Sequence, residues 1–431
     1  MTSTGNPLQE LEASVQRQAA ALPTDTKRAT EDIKTIIAAE VARWNDDVKR
    51  GDRSVLLADP ARTASQLERN LLGYGPLEPL LADDDVWEIM VNAPDEIFAK
   101  RHSGPSGYHH EVFNDEEHVR RTLTRILDQA LGSHRVLDAS TGLQDAQLND
   151  GSRLHIVHSD LSRGGHLMFN IRKFTGVAYR SLDELVSCGT LSAHLAAVLS
   201  AAVRSRLSIL IAGAPGTGKT TLLSCCAAQL DPALRVVTAE EVFEVDVPLP
   251  NVAAMQTRPA RAERAEVNLR RLVAGFLRMA PDVAIVGEVR DSEALPLLLT
   301  LSSGVTGYAT IHAGSAQQAL SRLRFICQLS DAASTMSTAA LSHLVADAID
   351  IVVHLTRIDG RVRVGSVLAV EDCAGGDTAS FAVSELFCAA ADGPDVEWSG
   401  ALPIRAARKS AERGIDLPAV LAASRSSQEV S

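Results

Sequence analysis

The stretch Ile209–Leu223, which reads Ile-Leu-Ile-Ala-Gly-Ala-Pro-Gly-Thr-Gly-Lys-Thr-Thr-Leu-Leu, decides how the rest of the chain can be arranged. An apolar run from Ser208 to Ala212 predicts a buried strand, and a glycine-rich loop follows it. A helix is expected to begin at Lys219. The spacing Gly-x-x-x-x-Gly-Lys-Thr between a strand and a helix is that of a phosphate-binding P-loop rather than of a glycine-rich turn with a chance Lys-Thr.

Each residue type in this loop has a role in binding phosphate. The glycines let the backbone curl so that successive N–H groups face a phosphate, which side chains would block. The N-terminus of the helix adds partial positive charge. Lys219 supplies a cation for the β- and γ-phosphates, and Thr220 supplies a hydroxyl for Mg²⁺. The sequence therefore predicts that the protein binds a nucleoside triphosphate. The predicted nucleotide-binding residues are Gly213, Ala214, Pro215, Gly216, Thr217, Gly218, Lys219, Thr220 and Thr221.

Composition limits the classes of function. At 431 residues the chain should hold two or three domains. An apolar share of 45% and a charged share of 22% are those of an ordinary globular protein. The net charge of −12 argues against general nucleic-acid binding, which needs a surplus of Lys and Arg. The six cysteines include no C-x-x-C pair and are therefore expected to be reduced thiols.

The sequence shows no membrane or export signal. No basic segment followed by an apolar one opens it, and no uncharged apolar run reaches the roughly 18 residues of a membrane-spanning helix. We therefore expect a cytoplasmic chain that associates with the cytoplasmic membrane only through partners.

Changes in pattern along the chain divide it into five segments. The first is helical, because apolar residues between Ile33 and Val48 recur at helical spacing. It holds no cluster of catalytic side chains, so a docking module is favoured over a separate enzyme domain. Short strands and the hairpin signal Asn149-Asp150-Gly151 then predict an α+β domain with a sheet in its core. The expected segments are 1–70 (helical docking segment), 71–175 (α+β domain), 176–206 (linker and helix), 207–392 (P-loop domain) and 393–431 (tail).

Four apolar runs separated by helical segments predict one mostly parallel sheet with helices on both faces. The acidic cluster Glu240–Glu244 follows the second run, and Glu288 follows the third. Ligands bind beyond the carboxyl ends of parallel strands, so these carboxylates are predicted to hold Mg²⁺ and to align or deprotonate an attacking water. His312 ends the fourth run; taken alone, such a histidine is more often a core residue than a ligand contact. The runs are 209–212, 236–239, 283–286 and 308–311.

Arg153 and Arg172 stand in otherwise apolar strands of the α+β domain. A guanidinium at such a position is either paired with a neighbouring carboxylate or placed to contact a phosphate. The pattern by itself leaves both interpretations open.

Taken in order, the motifs resemble those of the secretion ATPases of the type II/type IV secretion superfamily, and within it the tight-adherence (Tad/Flp pilus, CpaF-like) branch. The match runs from Leu71 to Leu386. A single motif would be weak evidence, but the whole set in this order is highly specific. The residues that carry the resemblance are Gly73–Leu81, Asp150–Arg153, Ile171–Phe174, the P-loop, Glu240–Glu244, Thr257–Pro259, Leu277–Met279, Val286–Arg290 and Thr310–Ala313.

The resemblance implies an α/β fold with a C-terminal RecA-like P-loop ATPase domain, whose sheet is mostly parallel. A PAS-like α+β domain and an N-terminal helical segment would precede it. The implied cofactors are ATP and Mg²⁺, with Mg²⁺ at Thr220 and Glu288. Glu244 looks like the catalytic glutamate of the family, Glu288 like its Walker B acid and His312 like its γ-phosphate sensor. Which of the two acids is the general base stays open.

The resemblance also assigns roles to arginines. Arg153 and Arg172 match arginines that reach the nucleotide when the two domains close. Arg258, Arg270 and Arg278 are further candidates for charge stabilisation across a subunit boundary. A trans-acting arginine makes physical sense because the transition state of phosphoryl transfer spreads charge over the equatorial oxygens.

The implied function is that of a homo-hexameric ATPase motor that docks on inner-membrane platform proteins and powers assembly, or retraction, of a tight-adherence pilus. One alternative is a motor for type II or type IV secretion or for DNA uptake. Another is a nucleotide-gated scaffold with little turnover. Three departures from the family pattern keep that last alternative open: Glu241 replaces the usual Asp, Gly314 replaces a common Asn, and Ala280 replaces a frequent Arg.

Overall fold

The computed structural model describes residues 6–20, 26–101, 104–131, 137, 142–173, 179–258, 265–330, 336–374, 380–390 and 395–423. The chain divides into two compact units, Met1–Thr175 and Gly176–Ser431. Within the described part of the chain, no helix is both long enough and apolar enough to cross a membrane.

The first unit begins with three helices that share a small apolar core. Asn6 and Asp59 cap two of them by accepting hydrogen bonds from the backbone N–H groups of Leu8 and Arg62. In both cases a proline occupies the first turn, where its missing N–H costs nothing. The helices are α1 (Pro7–Ala19), α2 (Thr26–Arg50) and α3 (Pro60–Leu72), and their core consists of Leu11, Val15, Ile37, Val41, Trp44, Leu57 and Leu67.

A buried carboxylate ties these helices to the rest of the first unit. Glu12 on α1 is only 3% exposed. It accepts hydrogen bonds from Asn70 (3.1 Å), Asn114 (2.6 Å) and Arg121 (3.0 Å). Since a buried charge is tolerated only when it is paired, this contact fixes the position of α1. The helical segment is therefore packed within the first unit.

The sheet of the first unit has seven strands in the order β3-β2-β1-β7-β6-β5-β4, and every recorded pairing is antiparallel. The predicted hairpin at Asn149-Asp150-Gly151 is confirmed and joins β5 to β6. The strands are β1 (Val86–Ala93), β2 (Glu96–Arg101), β3 (Gly107–Tyr108), β4 (Ala130–Leu131), β5 (Leu143–Leu148), β6 (Arg153–Val157) and β7 (Met168–Arg172), with helices α4 (Glu78–Ala82) and α5 (Glu116–Asp128).

The second unit holds a nine-stranded sheet in the order β10-β9-β11-β12-β8-β13-β14-β15-β16. Its first six strands are parallel, and the last three continue it antiparallel. Separate apolar cores lie on the two faces, so the predicted α/β class is confirmed. The strands are β8 (Ile209–Gly213), β9 (Val236–Glu240), β10 (Val252–Gln256), β11 (Val283–Val289), β12 (Thr306–Ile311), β13 (Ile351–Ile358), β14 (Arg361–Ala374), β15 (Ser380–Ala389) and β16 (Val396–Trp398).

Helices cover both faces of this sheet. One face carries the P-loop helix, and the other carries the helix that follows His312. The helices are α6 (Leu182–Ser187), α7 (Ala193–Arg204), α8 (Lys219–Ala227), α9 (Leu269–Val273), α10 (Ala294–Ser302), α11 (Ala316–Gln328), α12 (Thr338–Ala348), α13 (Ile404–Ala411) and α14 (Leu417–Ala422).

The segment expected to be a tail, 393–431, differs from that expectation. Strand β16 pairs with β15, and α13 and α14 bury residues in the core beside α7. Two cations of this segment, Arg405 and Lys409, lie 3.0 and 2.7 Å from the buried carboxylate of Asp350. These paired cations weaken the apolar periodicity by which a core helix is recognised. Residues 424–431 lie outside the described part of the chain.

Candidate active site

The P-loop lies at the carboxyl end of β8, between the neighbouring strands β12 and β13. A Cβ atom at Gly213 would lie 2.6 Å from the backbone oxygen of Leu355, so only glycine fits there. Gly216 and Gly218 have positive φ angles of 71° and 76°. Gly218 is the N-cap of α8 and has no side chain to compete for the first N–H groups of the helix. The loop thus has the backbone form of an anion cradle.

Lys219 is held inside this loop. Its side chain is largely buried, and Nζ donates to the backbone oxygen of Ala214 at 3.0 Å. The same oxygen accepts the hydroxyl of Thr217 at 2.8 Å. Nζ also lies 3.1 Å from Nδ1 of His312. The ammonium group therefore joins the P-loop to the end of β12.

His312 links Lys219 to Glu288. An ammonium can only donate, so Nδ1 of His312 accepts from Lys219, and the remaining ring proton sits on Nε2. Nε2 lies 2.5 Å from a carboxylate oxygen of Glu288, at the end of β11. Burial, followed by the charge of Lys219, lowers the pKa of His312. We therefore assign a neutral imidazole whose Nδ1 accepts from Lys219 and whose Nε2 lies in close contact with Glu288.

Glu288 also contacts Arg290. The two side chains lie 2.5 Å apart, and Arg290 reaches Glu241 at 2.9 Å. Burial would raise the pKa of Glu288, but the hydrogen bond and charge of Arg290, with help from His312 and Lys219, lower it overall. Glu288 is consequently an ionised and weakly basic carboxylate at neutral pH.

Glu293 fixes the turn that carries Arg290. Its side chain is 4% exposed and accepts hydrogen bonds from the backbone N–H groups of Arg290 (2.5 Å) and Asp291 (2.9 Å). These two bonds orient the turn at the end of β11. The role of Glu293 was not predicted from the sequence, because an acid two residues after Asp291 has no motif of its own.

Glu240 supports the segment that carries Glu244. It ends β9, is 2% exposed, and accepts the N–H groups of Glu244 (2.8 Å) and Val245 (2.9 Å). A Cβ atom at Gly287 would come within 3.0 Å of its side chain, so the glycine permits this close packing. Glu244 itself is half-buried, and its charge is among those that raise the pKa of Arg290 against the opposing effect of burial. Glu240 therefore supports the backbone of this segment, whereas Glu244 is accessible.

The residues present fit Mg²⁺ and ATP. The Thr220 hydroxyl and the Glu288 carboxylate are hard oxygen donors of the kind that Mg²⁺ prefers. Among the described residues, no group of three or more His, Cys, Asp or Glu side chains forms a metal cage. Mg²⁺ in nucleotide sites usually takes most of its ligands from phosphates and water, so a small protein contribution suits it. The glycine cradle and Lys219 match the polyphosphate.

The predicted arginines of the first unit form a pair. Arg153 on β6 lies directly opposite Arg172 on β7, and Glu88 on β1 lies opposite Arg172 on the other side. Arg172 is exposed and Arg153 is half-buried. Like charges placed opposite each other destabilise a sheet. Because Glu88 brings a carboxylate into the same row, the phosphate contact of these two arginines stays a prediction.

The further arginine candidates lie in the second unit. The backbones of Arg258 and Val267 pair with each other, and the Arg258 guanidinium donates to the backbone oxygen of Ala265 at 3.1 Å. Arg270 and Arg278 are exposed. The structure thus leaves two of the three candidates accessible, while the motif residue Pro259 lies outside the described residues.

Comparison with known proteins agrees with the motifs. A protein of Mycobacterium tuberculosis described as a putative conjugal transfer protein is 32% identical over 318 residues, which cover 72% of this chain and 88% of the relative. The type IV secretion system protein PtlH of Bordetella pertussis is 30% identical over 311 residues, covering 66% of this chain and 89% of PtlH. The crystal structure of the VirB11 ATPase from the Brucella suis type IV secretion system covers 68% of this chain and 94% of its own, with 25% identity and a TM-score of 0.36.

A family model described as type II/IV secretion system protein matches residues 70–390. This range includes the sheet of the first unit, the P-loop and the residues around Glu288 and His312. The resemblance predicted from the motifs is confirmed at the level of the family, while its tight-adherence branch stays a prediction. The chain belongs to the type II/IV secretion system protein family.

Proposed function

We propose that this protein is a Mg²⁺-dependent ATPase that works as the motor of a secretion or pilus machine. The observation that carries the proposal is the chain of contacts from Lys219 through His312 to Glu288 and Arg290. These side chains come from neighbouring strands of one parallel sheet and meet at its carboxyl edge, where nucleotides bind in α/β folds. A P-loop that only bound phosphate would not need a carboxylate such as Glu288 beside it.

Each residue has a place in the reaction. The P-loop N–H groups and Lys219 would bind the polyphosphate, and Thr220 with Glu288 would hold Mg²⁺, which when bound neutralises charge on the phosphates. Glu288 is a poor base because, although burial raises its pKa, the hydrogen bond and charge of Arg290 lower it overall. Glu244 is therefore the better candidate to polarise the attacking water, with Glu240 holding its backbone in place.

His312 would report the state of the γ-phosphate. It contacts Lys219, a predicted phosphate ligand, on one ring nitrogen and Glu288 on the other. A movement of Lys219 toward a phosphate would change the hydrogen bond that His312 accepts, and with it the contact between His312 and Glu288. This arrangement supports the role of a sensor that couples the phosphate to the end of β11.

In more detail, we propose that the protein forms a homo-hexamer that docks on membrane platform proteins. Arg153 and Arg172 would reach the nucleotide on domain closure. The motif pattern supports the tight-adherence pilus. The curated relatives are described as conjugal transfer and type IV secretion proteins, and they support a secretion or conjugation machine as the second candidate. Neighbouring genes separate the two: genes for a pilin and a prepilin peptidase would favour the pilus.

The proposal predicts that Lys219→Ala and Glu288→Gln each abolish phosphate release. Loss of Lys219 removes the polyphosphate cation, and loss of the Glu288 charge removes its pairing with Mg²⁺, Arg290 and His312. Steady-state phosphate release from the purified full chain, with Mg·ATP, measures both. Lys34→Ala on α2 is the matched control, because that lysine is 46% exposed and far along the chain from the P-loop.

Wild-type turnover in either variant would overturn the proposal. Tight binding of Mg·ATP by the wild-type chain without phosphate release, with and without its membrane partner, would instead support the nucleotide-gated scaffold. Equilibrium binding and turnover must therefore be measured on the same preparations.

A further inference from the structure

The hairpin formed by β13 and β14 runs along the outside of the P-loop. Strand β13 is parallel to β8, with Leu355 paired to Gly213, so that its last residues continue beside the loop. A Cβ atom at Gly213 would strike the backbone oxygen of Leu355, and one at Gly218 would lie 3.9 Å from Val362 on β14. The beginning and the end of the phosphate-binding loop thus both face this hairpin.

Arg357 connects the same hairpin to the middle of the loop. Its Nη2 donates to the backbone oxygen of Gly216 at 2.9 Å, and its Nη1 donates to the backbone oxygen of Gly360 at 2.9 Å. Gly360 belongs to the turn between the strands, where Asp359 and Gly360 have positive φ angles of 51° and 78°. Two consecutive residues of this kind are typical of a tight type I′ hairpin turn. One guanidinium therefore bridges a stiff turn and the phosphate loop.

This contact determines which way a peptide group of the loop faces. In a trans peptide the C=O of one residue and the N–H of the next point to opposite sides. When Arg357 holds the Gly216 oxygen on the hairpin side, the Thr217 N–H must face the inside of the loop. There it donates to the backbone oxygen of Ala214, with 3.4 Å between nitrogen and oxygen, the same oxygen that receives Lys219. The interior of a P-loop is where a phosphate is bound.

We propose that Arg357 is a positioning residue for nucleotide binding, which holds the Gly216–Thr217 peptide with its N–H turned into the loop toward Ala214 and so keeps the phosphate cradle in shape. This inference rests on the proposed function of the P-loop and adds a residue outside every motif of the chain. Arg357 acts through Gly216 and the peptide plane. Its guanidinium fits this task because two of its donors lie in one rigid plane and can reach two carbonyl groups at once, which a lysine cannot.

The expected effect is on affinity. An arginine that presets the loop stabilises bound substrate and transition state alike, so Arg357→Ala should raise KM and leave kcat nearly unchanged. Loss of a charge-assisted hydrogen bond should weaken Mg·ATP and Mg·ADP binding about tenfold. Arg357→Lys can still donate to Gly216 but cannot bridge to Gly360, and should weaken binding about threefold.

Two control variants separate positioning from stability. Arg361→Ala removes a neighbouring exposed cation of the same hairpin and should leave the Kd within about twofold of wild type. Gly414→Ala strains the turn between α13 and α14 of the same unit, because its φ is +72°, although a Cβ would meet nothing within 4 Å. It should lower the Tm of the chain and leave the Kd within about twofold.

The experiment is equilibrium titration of the full-length variants with Mg·ATP and Mg·ADP, together with steady-state turnover and thermal unfolding. Wild-type affinity in Arg357→Ala would overturn the inference, and so would an equal loss of affinity in Gly414→Ala. A wild-type chain that binds nucleotide without hydrolysing it would refute the proposed ATPase, while the Kd comparison would still decide the role of Arg357. A wild-type chain that binds no nucleotide would overturn both.

Discussion

His118, on α5 of the first unit, is a buried histidine kept neutral by its surroundings. Its ring has no exposed surface, stacks edge-on against Phe113, and accepts the backbone N–H of Asn114 on Nδ1. Burial, followed by the charge of Arg121, lowers its pKa to about 4. A Cβ atom at Gly75 would come within 2.9 Å of Nε2, so this glycine makes room for the ring.

The lowered pKa predicts a loss of stability in acid. Between its ordinary pKa of about 6.5 and its folded value of about 4, the unfolded chain binds a proton that the folded chain does not. The contribution of His118 is therefore fully present above pH 6.5 and falls away as the pH drops toward 4, by about 2 kcal/mol between pH 7.5 and pH 5. His118→Gln should remove that part of the pH dependence.

Urea unfolding at the two pH values, followed by the fluorescence of Trp44 and Trp87 in a Trp398→Phe chain, measures this loss for the first unit. His155→Gln is the control, since His155 is an exposed histidine of the same unit. An unchanged pH dependence in His118→Gln would show that the buried ring does not titrate as expected.

The residues of the site that could be predicted were those for which spacing carries information. Lys219 belongs to a fixed motif, and Glu288 and His312 follow apolar runs, so parallel topology alone brings them to one edge. Glu293 could not be found this way. Nor could the pairing of Arg290 with Glu241, 49 residues away, or of Arg357 with Gly216, 141 residues away. Such contacts depend on which strands become neighbours, and no local pattern records that.

At the scale of elements, the strands buried on both faces were predicted best. Strands β8, β9, β11 and β12 are continuous apolar runs, as expected for a covered parallel sheet. The extension beyond β13 was only partly foreseen. The hairpin β13–β14 had a turn signal at Asp359-Gly360, but β15, β16, α13 and α14 were not predicted. In α13 the cations Arg405 and Lys409, which pair with Asp350, interrupt the apolar period.

Asp350 holds the C-terminal helix α13 against the rest of the second unit, and a substitution of this residue tests the contact. Its carboxylate is 2% exposed, accepts the backbone N–H of Ser208 at the start of β8, and pairs with Arg405 and Lys409 of α13. Asp350→Ala leaves two cations and one N–H group without their acceptor. Breaking a buried ion pair in this way costs about 3 to 5 kcal/mol.

Chemical unfolding of the second unit, followed by Trp398 fluorescence in a Trp44→Phe/Trp87→Phe chain, measures the cost. Asp347→Ala is the matched control, because Asp347 lies three residues earlier and is exposed. Equal stability of the two variants would show that the C-terminal helices are held by apolar packing alone.

At the scale of the whole molecule, the chain consists of two units with separate cores, and the chemistry proposed for it requires both. The P-loop and its acids belong to the second unit, and the opposed pair Arg153 and Arg172 belongs to the first. Arg153 and Arg172 match the family's arginines that reach the nucleotide, and two like charges opposite each other do not stabilise a sheet. We therefore expect this pair to act on the nucleotide during turnover.

Arg153→Ala and Arg172→Ala should each lower kcat by about 100-fold or more, because a cation that meets charge developing on the phosphoryl group acts mainly in the transition state. The Kd for Mg·ATP, set by the P-loop of the other unit, should change little. Unfolding of the first unit should shift by less than about 1 kcal/mol in Arg172→Ala, since exposed charges contribute little to stability. Arg163→Ala, an exposed arginine of the same unit, is the control. Loss of stability with unchanged kcat in both variants would mean that the pair is structural and that the second unit completes its site without the first.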